Sequence, residues 1–364
     1  MTSNRQNPHV GDGELEERLA RRTLELVDIP SLSREEAAAM AYVRETLPLE
    51  RIWDDGEVVF ASTPRRDGRE LVVLAGHVDT VPAQGNLPGR IEGDAVVGLG
   101  ASDMKGGVAV MLELAGWARD AELALDLGFL LFTREELDVE ESPLPAFFDG
   151  CPAIRNAALV IVLEPTNNEI HAGCLGNLNA QLTFRGSSAH SARPWTGENA
   201  IHKAAAAIAP LAELEPLDVE LDGLRFREVI SAVGIEGGIA DNVVPDRCIV
   251  RLNYRYAPGR TPAQAEARIR ELAAEAELEI IGNSASAPVV VDRPLVRRLR
   301  ALGGFDVQPK QAWTPVAQFA EVGLDAINLG PGATRFAHTV DERVSISELV
   351  RTYDALRRFA ADTV

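Results

Sequence analysis

The sequence predicts an α/β protein whose main domain, a mixed sheet covered by helices, is interrupted by an inserted ferredoxin-like α+β domain. Three observations predict it. Nearly continuous apolar runs alternate with helical periodicity over the first 175 residues. The texture changes to half-exposed, alternating strands over 176–287. The first pattern then resumes to the C-terminus. Strands that are apolar on both faces and separated by helices belong to a sheet covered on both sides.

Residues 14–28 (ELEERLARRTLELVD) have helical spacing and stop before Pro30, and 35–46 form a second helix. EVVFAS (57–62), ELVVLAG (70–76), LDLGFLLFT (125–133) and ALVIVLE (158–164) are buried-strand runs, with a helix at 104–119 between the second and third. In the insert, LNAQLTFRG (178–186) is a strand with one wet face and 197–213 is a helix. VISAVGIEGG (229–238) and RCIVRLNYRYA (247–257) are strands, 261–276 is a helix and LEIIG (278–282) a short strand. The order is β-α-β-β-α-β, closed by the small-residue linker NSASAP. Helices near 292–302 and 316–322, the strand DAINLG (325–330) and a helix at 346–361 follow. The predicted domains are 1–175 with 288–364, discontinuous, and 176–287 inserted.

A chain of 364 residues suits two domains, and 46% hydrophobic with 25% charged residues is ordinary for a globular protein. No apolar run approaches the ~20 residues that span a bilayer. The polar start MTSNRQNPHVGDGELEER has no apolar core of a secretion signal, which predicts the cytoplasm. A net charge of −19 argues against nucleic acid or an anionic membrane as partner, since both need clustered positive charge. Cys151, Cys174 and Cys248 are widely spaced with no C-x-x-C pair, the pattern of buried reduced thiols. Any metal must therefore be held by imidazole and carboxylate.

Five places carry such groups, each with a plainer alternative. His77 and Asp79, two apart in GHVDT, project to one side of an extended chain as ligand and orienter, or merely cap a strand. Asp103, in the glycine-rich GLGASDMKGG, can bridge two cations ~3.5–4 Å apart, or simply cap the following helix. Glu135 and Glu136 are adjacent after FLLFT, so one can bind metal while the other faces a water; they can equally be a solvated turn. Glu164 ends the apolar strand VIVLE, where a carboxylate is costly unless paired or metal-bound. His338 follows DAINLG on a loop, where a histidine is usually just exposed. Together they put two imidazoles and several carboxylates at the C-terminal ends of successive strands, where open α/β sheets carry their sites. Such a set suits zinc and tolerates cobalt or manganese. In the insert, His190 sits in FRGSSAHSARPWTGENAIHK, Asn242 in DNVVPD and Arg255 in NYRYAPGR.

From about residue 14 to the end, the chain resembles the M20 metallopeptidase (aminoacylase/carboxypeptidase G2) family. GHVDTVP, GASDMKGG, EE, EPT, GSSAHSARPWTGENAI, NVVPD, GPG and AHTVDE occur in the family's order. HSARPWTGENAIHK, NVVPD, RYAPGR and GPG…AHTVDE are most similar to the family's actinobacterial succinyl-diaminopimelate desuccinylase branch. The resemblance implies a zinc-peptidase-like catalytic domain with two Zn2+, for which Co2+ or Mn2+ substitutes. His77, Asp103 and Glu164 would hold one ion, and Asp103, Glu136 and His338 the other. Asp79 would orient His77, and Glu135 would act as general base. The insert would serve as dimerisation and lid domain of a homodimer, with His190 stabilising the oxyanion in the partner's site. Arg255 would bind a substrate carboxylate and Asn242 would line the site. The implied substrate is a small N-acyl amino acid, N-succinyl-L,L-diaminopimelate, the alternatives being acetylornithine deacetylation, other N-acyl-amino-acid hydrolysis, or di- or carboxypeptidase activity. Two segments depart from the pattern. An S/T-D-x-x-R segment is replaced by Trp313–Gln318, without its Asp and Arg, and an Arg-rich stretch by HAGCLGNL (171–178).

Overall fold

A computed structural model describes residues 12–273 and 276–361. His9 and its polar segment, and residues 274 and 275 of the expected helix 261–276, lie outside the described residues. The chain forms two compact units. One holds the described residues up to Ala172, Val290–Gln308 and those from Gln318 onward; the other holds Gly173–Val289 and Pro309–Ala317. The strip 309–317 thus groups with the insert. It is tied there by Leu175 N–H to the Ala312 carbonyl at 3.1 Å and by the Cys174 thiol to the Thr314 carbonyl at 3.8 Å. No helix among the described residues is long and apolar enough to cross a membrane.

The first unit is built on an eight-stranded sheet. Its strand order is Glu50–Asp54, Val58–Ser62, Asp126–Phe132, Leu71–His77, Ala157–Val162, Ala326–Asn328, Ile170–Ala172 and Val307–Pro309. The four strands from Asp126–Phe132 to Ala326–Asn328 are mutually parallel; Glu50–Asp54, Val58–Ser62 and Ile170–Ala172 run antiparallel to their neighbours. Leu71–His77 and Asp126–Phe132 are buried at every position, as their unbroken apolar sequences require. Helices Asp12–Asp28, Gly106–Ala118 and Ile346–Ala361 pack on one another around an apolar core. Close approach depends on two glycines. A Cβ at Gly107 would lie 2.5 Å from the Leu163 carbonyl oxygen, and one at Gly330 would lie 2.3 Å from it.

The second unit is a five-stranded antiparallel sheet ordered Leu217–Leu221, Leu224–Gly237, Arg247–Tyr256, Gly176–Arg185 and Glu277–Ser284. Helix Ala200–Ile208 covers Leu182, Phe184, Val250 and Leu252, and Pro262–Leu272 covers Leu178, Ala180, Tyr254 and Tyr256. Two elements differ from expectation. The long strand begins at Leu224, because Asp222 and Gly223, both at positive φ (49° and 79°), make a two-residue hairpin turn to Leu217–Leu221. The helix expected over 197–213 stops at Ile208 and tightens to a 3-10 turn at Pro210, whose missing N–H cannot continue it. Beyond Glu228, no described strand pairs with the outer edge of Leu224–Gly237, and Val233 and Ile235 there are more than half exposed.

Candidate metal and catalytic site

Of the expected donors of the first unit, His77, Glu136 and Glu164 lie at or just beyond the C-terminal ends of parallel strands, Asp103 in the turn before helix Gly106–Ala118, and His338 on the loop that follows Ala326–Asn328. His77 ends its strand and is fully buried. Its Nδ1 is 3.1 Å from the Asp79 carbonyl and 3.3 Å from Asp79 Oδ1, while Nε2 faces Asp103 Oδ1 at 3.3 Å and Glu164 Oε1 at 3.9 Å. The other Asp103 oxygen, Oδ2, is 3.5 Å from His338 Nε2, which is 3.0 Å from Glu136 Oε1. Two groups of donor atoms, His77–Asp103–Glu164 and Asp103–Glu136–His338, each lie within 4.8 Å and share Asp103. Glu135 groups with His77 and Glu136 by the same measure. His338 stands at φ 60° on its loop with its side chain half exposed, so that side faces solvent.

Asp79 does more than face His77. Its Oδ1 accepts the Glu135 N–H at 3.1 Å, and its Oδ2 accepts the Glu136 N–H at 3.1 Å and the Ser33 hydroxyl at 2.8 Å. One fully buried carboxylate therefore faces the His77 ring and fixes the backbone of the paired glutamates.

Crowding shapes the charges. Burial pushes the Glu135 carboxyl well up, the Glu164, Glu136 and Asp103 charges add to this, and His77 opposes it. Burial also raises Glu136, against the hydrogen bond from His338. At His77 burial pulls the imidazolium down, but the Asp103 and Asp79 carboxylates outweigh it and hold the group well above its ordinary range. His338 is raised to about 9, chiefly by Glu136. Close-set carboxylates that resist ionising together are a charge excess that divalent cations would relieve. The donors are imidazole and carboxylate alone, and the shared Asp103 turns one oxygen to each histidine. The residues present therefore fit a pair of borderline divalent ions such as zinc.

His190, Asn242 and Arg255 belong to the second unit. The short strand Ala189–His190 pairs with Val243–Val244, and the Ser191 N–H donates to the Asn242 carbonyl at 2.9 Å. His190 is exposed, and its Nδ1 accepts the Ala192 N–H at 3.1 Å, so a neutral ring carries its proton on Nε2. Arg255 is half-buried on Arg247–Tyr256, its Nε donating to Asn253 Oδ1 at 2.9 Å; burial lowers its pKa.

Three residues around the donors escape a sequence reading. Ser33 holds Asp79. Glu36, buried, accepts the N–H groups of Arg34 at 2.9 Å and Arg134 at 3.2 Å, both in left-handed conformation (φ 78° and 57°), and so fixes the turn entering Glu135. Glu342 accepts three backbone N–H groups from the Asp103 turn. Glu342 lies inside AHTVDE, while nothing in the sequence around SREE (33–36) marked Ser33 or Glu36.

Residues 73–362 match the profile of peptidase family M20/M25/M40. The Mycobacterium tuberculosis protein assigned as succinyl-diaminopimelate desuccinylase is 40% identical over 343 residues, covering 93% of this chain and 96% of that one. The succinyl-diaminopimelate desuccinylase of Corynebacterium glutamicum is 34% identical over 352 residues, covering 93% and 95%. Among solved structures, aminopeptidase PepT of Bacillus cereus superposes with a TM-score of 0.77 at 20% identity, covering 94% of this chain and 97% of its own. The profile spans most of the chain and the two relatives align over more than nine-tenths of it, so the chain belongs to peptidase family M20/M25/M40 and is a hydrolase of amide bonds.

Proposed function

We propose that the chain is a cytoplasmic, homodimeric desuccinylase that hydrolyses N-succinyl-L,L-diaminopimelate to succinate and L,L-diaminopimelate. The observation that carries this is the shared Asp103 between two donor groups with Glu135 beside them, joined to the identity with desuccinylases. His77, Asp103 and Glu164 would hold one zinc ion and Asp103, Glu136 and His338 the other, with cobalt or manganese as substitutes. When bound, the ions supply a Lewis acid for the amide carbonyl and lower the pKa of water. Glu135 takes the proton of the attacking water and returns it to the leaving nitrogen, a task for which a carboxylate raised by burial is suited. Asp79 keeps His77 and the Glu135 backbone in register. His190 donates from Nε2 to the oxyanion that develops in the partner's site, Arg255 binds a substrate carboxylate, and Asn242 helps line the site. The open edge beyond Glu228, with Val233 and Ile235 exposed, supports the insert as the dimerisation domain.

The altered Trp313–Gln318 segment favours one second reading, another activity of the family such as acetylornithine deacetylation or dipeptide hydrolysis. Turnover of zinc-loaded protein on N-succinyl-L,L-diaminopimelate, N-acetylornithine and small dipeptides decides between them. Preference for either of the last two overturns the substrate. Glu135→Gln should keep its metal and lose on the order of 10²-fold or more in kcat; near-parental turnover would remove Glu135 as base. Chelation should abolish activity, and zinc or cobalt should restore it.

A further inference from the structure

Glu342 lies outside the donor set, yet it is tied closely to the segment that carries Asp103. It is 1% exposed. Its Oε2 accepts the Gly100 N–H at 2.9 Å, and its Oε1 accepts the N–H groups of Ser102 at 3.1 Å and Asp103 at 3.0 Å. Its own carbonyl accepts the Gly98 N–H at 2.9 Å. Four hydrogen bonds thus run from one residue to the turn 98–103.

That turn needs an outside anchor. Gly98 and Gly100 stand at φ 154° and 77°, and Asp103 at φ −121°, ψ 94° is not helical, so no helical ladder fixes its carboxylate. Backbone N–H groups converging on a buried carboxylate form strong charge-assisted bonds, and removing the carboxylate leaves buried donors unsatisfied. Glu342 is also four residues beyond His338, so one segment supplies a donor and holds the turn of another.

We propose that Glu342 is a positioning residue. It holds the Asp103 carboxylate with one oxygen toward His77 and the other toward His338, and itself touches neither substrate nor metal. The proposal rests on the two-metal reading above.

The test compares the parent with Glu342→Gln, Glu342→Ala and Glu228→Gln. Glu228 is a buried carboxylate of the second unit that accepts the Ala257 N–H, the Tyr254 hydroxyl and Arg260, and so reports loss of a structural carboxylate. Zinc and cobalt binding by calorimetry, the visible absorption of bound cobalt and the thermal midpoint of the metal-free protein are measured. Glu342→Gln keeps the side chain's size and one carbonyl oxygen but loses an acceptor. It should bind metal about 10–100-fold more weakly, the range for partners behind metal ligands, and shift the cobalt bands; Glu342→Ala should do both more strongly. Glu228→Gln should lower the thermal midpoint without moving either metal readout. A folded Glu342→Gln protein with parental affinity and cobalt spectrum overturns the proposal. So does one that fails to fold, because Glu342 would then hold the fold as a whole. Parent protein that binds neither metal overturns the two-metal reading and this proposal with it, a result told apart because the loss is in the parent.

Discussion

Asp79 shows how much one side chain carries, because its two oxygens hold the backbone of both Glu135 and Glu136 while the residue faces His77. Asp79→Asn replaces one acceptor with a donor pointed at an N–H. It should cost about 10–100-fold in activity, as losses behind a metal ligand do, and steady-state kinetics at saturating zinc measures it. The cysteines give a prediction free of the site. Burial raises all three thiols, Cys174 to about 11 from an ordinary 9.0. None should react with Ellman's reagent in native protein at neutral pH, while all three should in denaturant. The sign follows from the folded state holding the proton longer: the stability that Cys174 contributes is complete below pH 9 and is lost as pH rises towards 11. Thermal midpoints across that range for parent and Cys174→Ala should converge. The five proposed donors and the proposed base were legible because imidazoles and carboxylates at the ends of apolar strands demand an explanation. Ser33, Glu36 and Glu342 were not, because Ser33 bonds a side chain, and Glu36 and Glu342 bond backbone groups, that only the fold brings near; Glu342 and Gly100 are 242 residues apart.

Elements with strong apolar periodicity were readable, and those without it were not. Leu71–His77 and Asp126–Phe132 follow directly from their composition. Glu50–Asp54 was missed because an edge strand with exposed, charged residues has no apolar face to read. Leu217–Leu221 was missed for a different reason, since the Asp222-Gly223 turn signal was present but joins a mostly exposed hairpin. Where elements touch, space decides. A Cβ at Gly330 would lie 2.3 Å from the Leu163 carbonyl oxygen and 2.5 Å from that of Glu164. Gly330→Ala must therefore push against the backbone that carries a donor. It should destabilise the protein by about 1–3 kcal/mol, the usual cost of overpacking, and urea unfolding monitored by circular dichroism checks it.

For the whole molecule, the test of assembly lies on the edge beyond Glu228. A lysine on an open strand blocks edge-to-edge pairing, so Ile235→Lys should shift the proposed dimer to monomer in size-exclusion chromatography with light scattering. An unchanged mass would take that edge out of the interface. The two-unit division could be read only as a change of texture near 176 and 287. The strip 309–317 has no periodicity of its own and joins the second unit through bonds to Cys174 and Leu175. That same junction bears on how the chain came to be built. The N–H groups and carbonyls of Cys174 and Ala287 are paired with each other at 3.4 and 3.2 Å. Everything between them leaves and returns at one point, as a bubble closed at its neck. Loop entropy grows only slowly with length once the ends are joined. The neck therefore allows the enclosed segment to lengthen, shorten or diverge at little thermodynamic cost to the strands outside it.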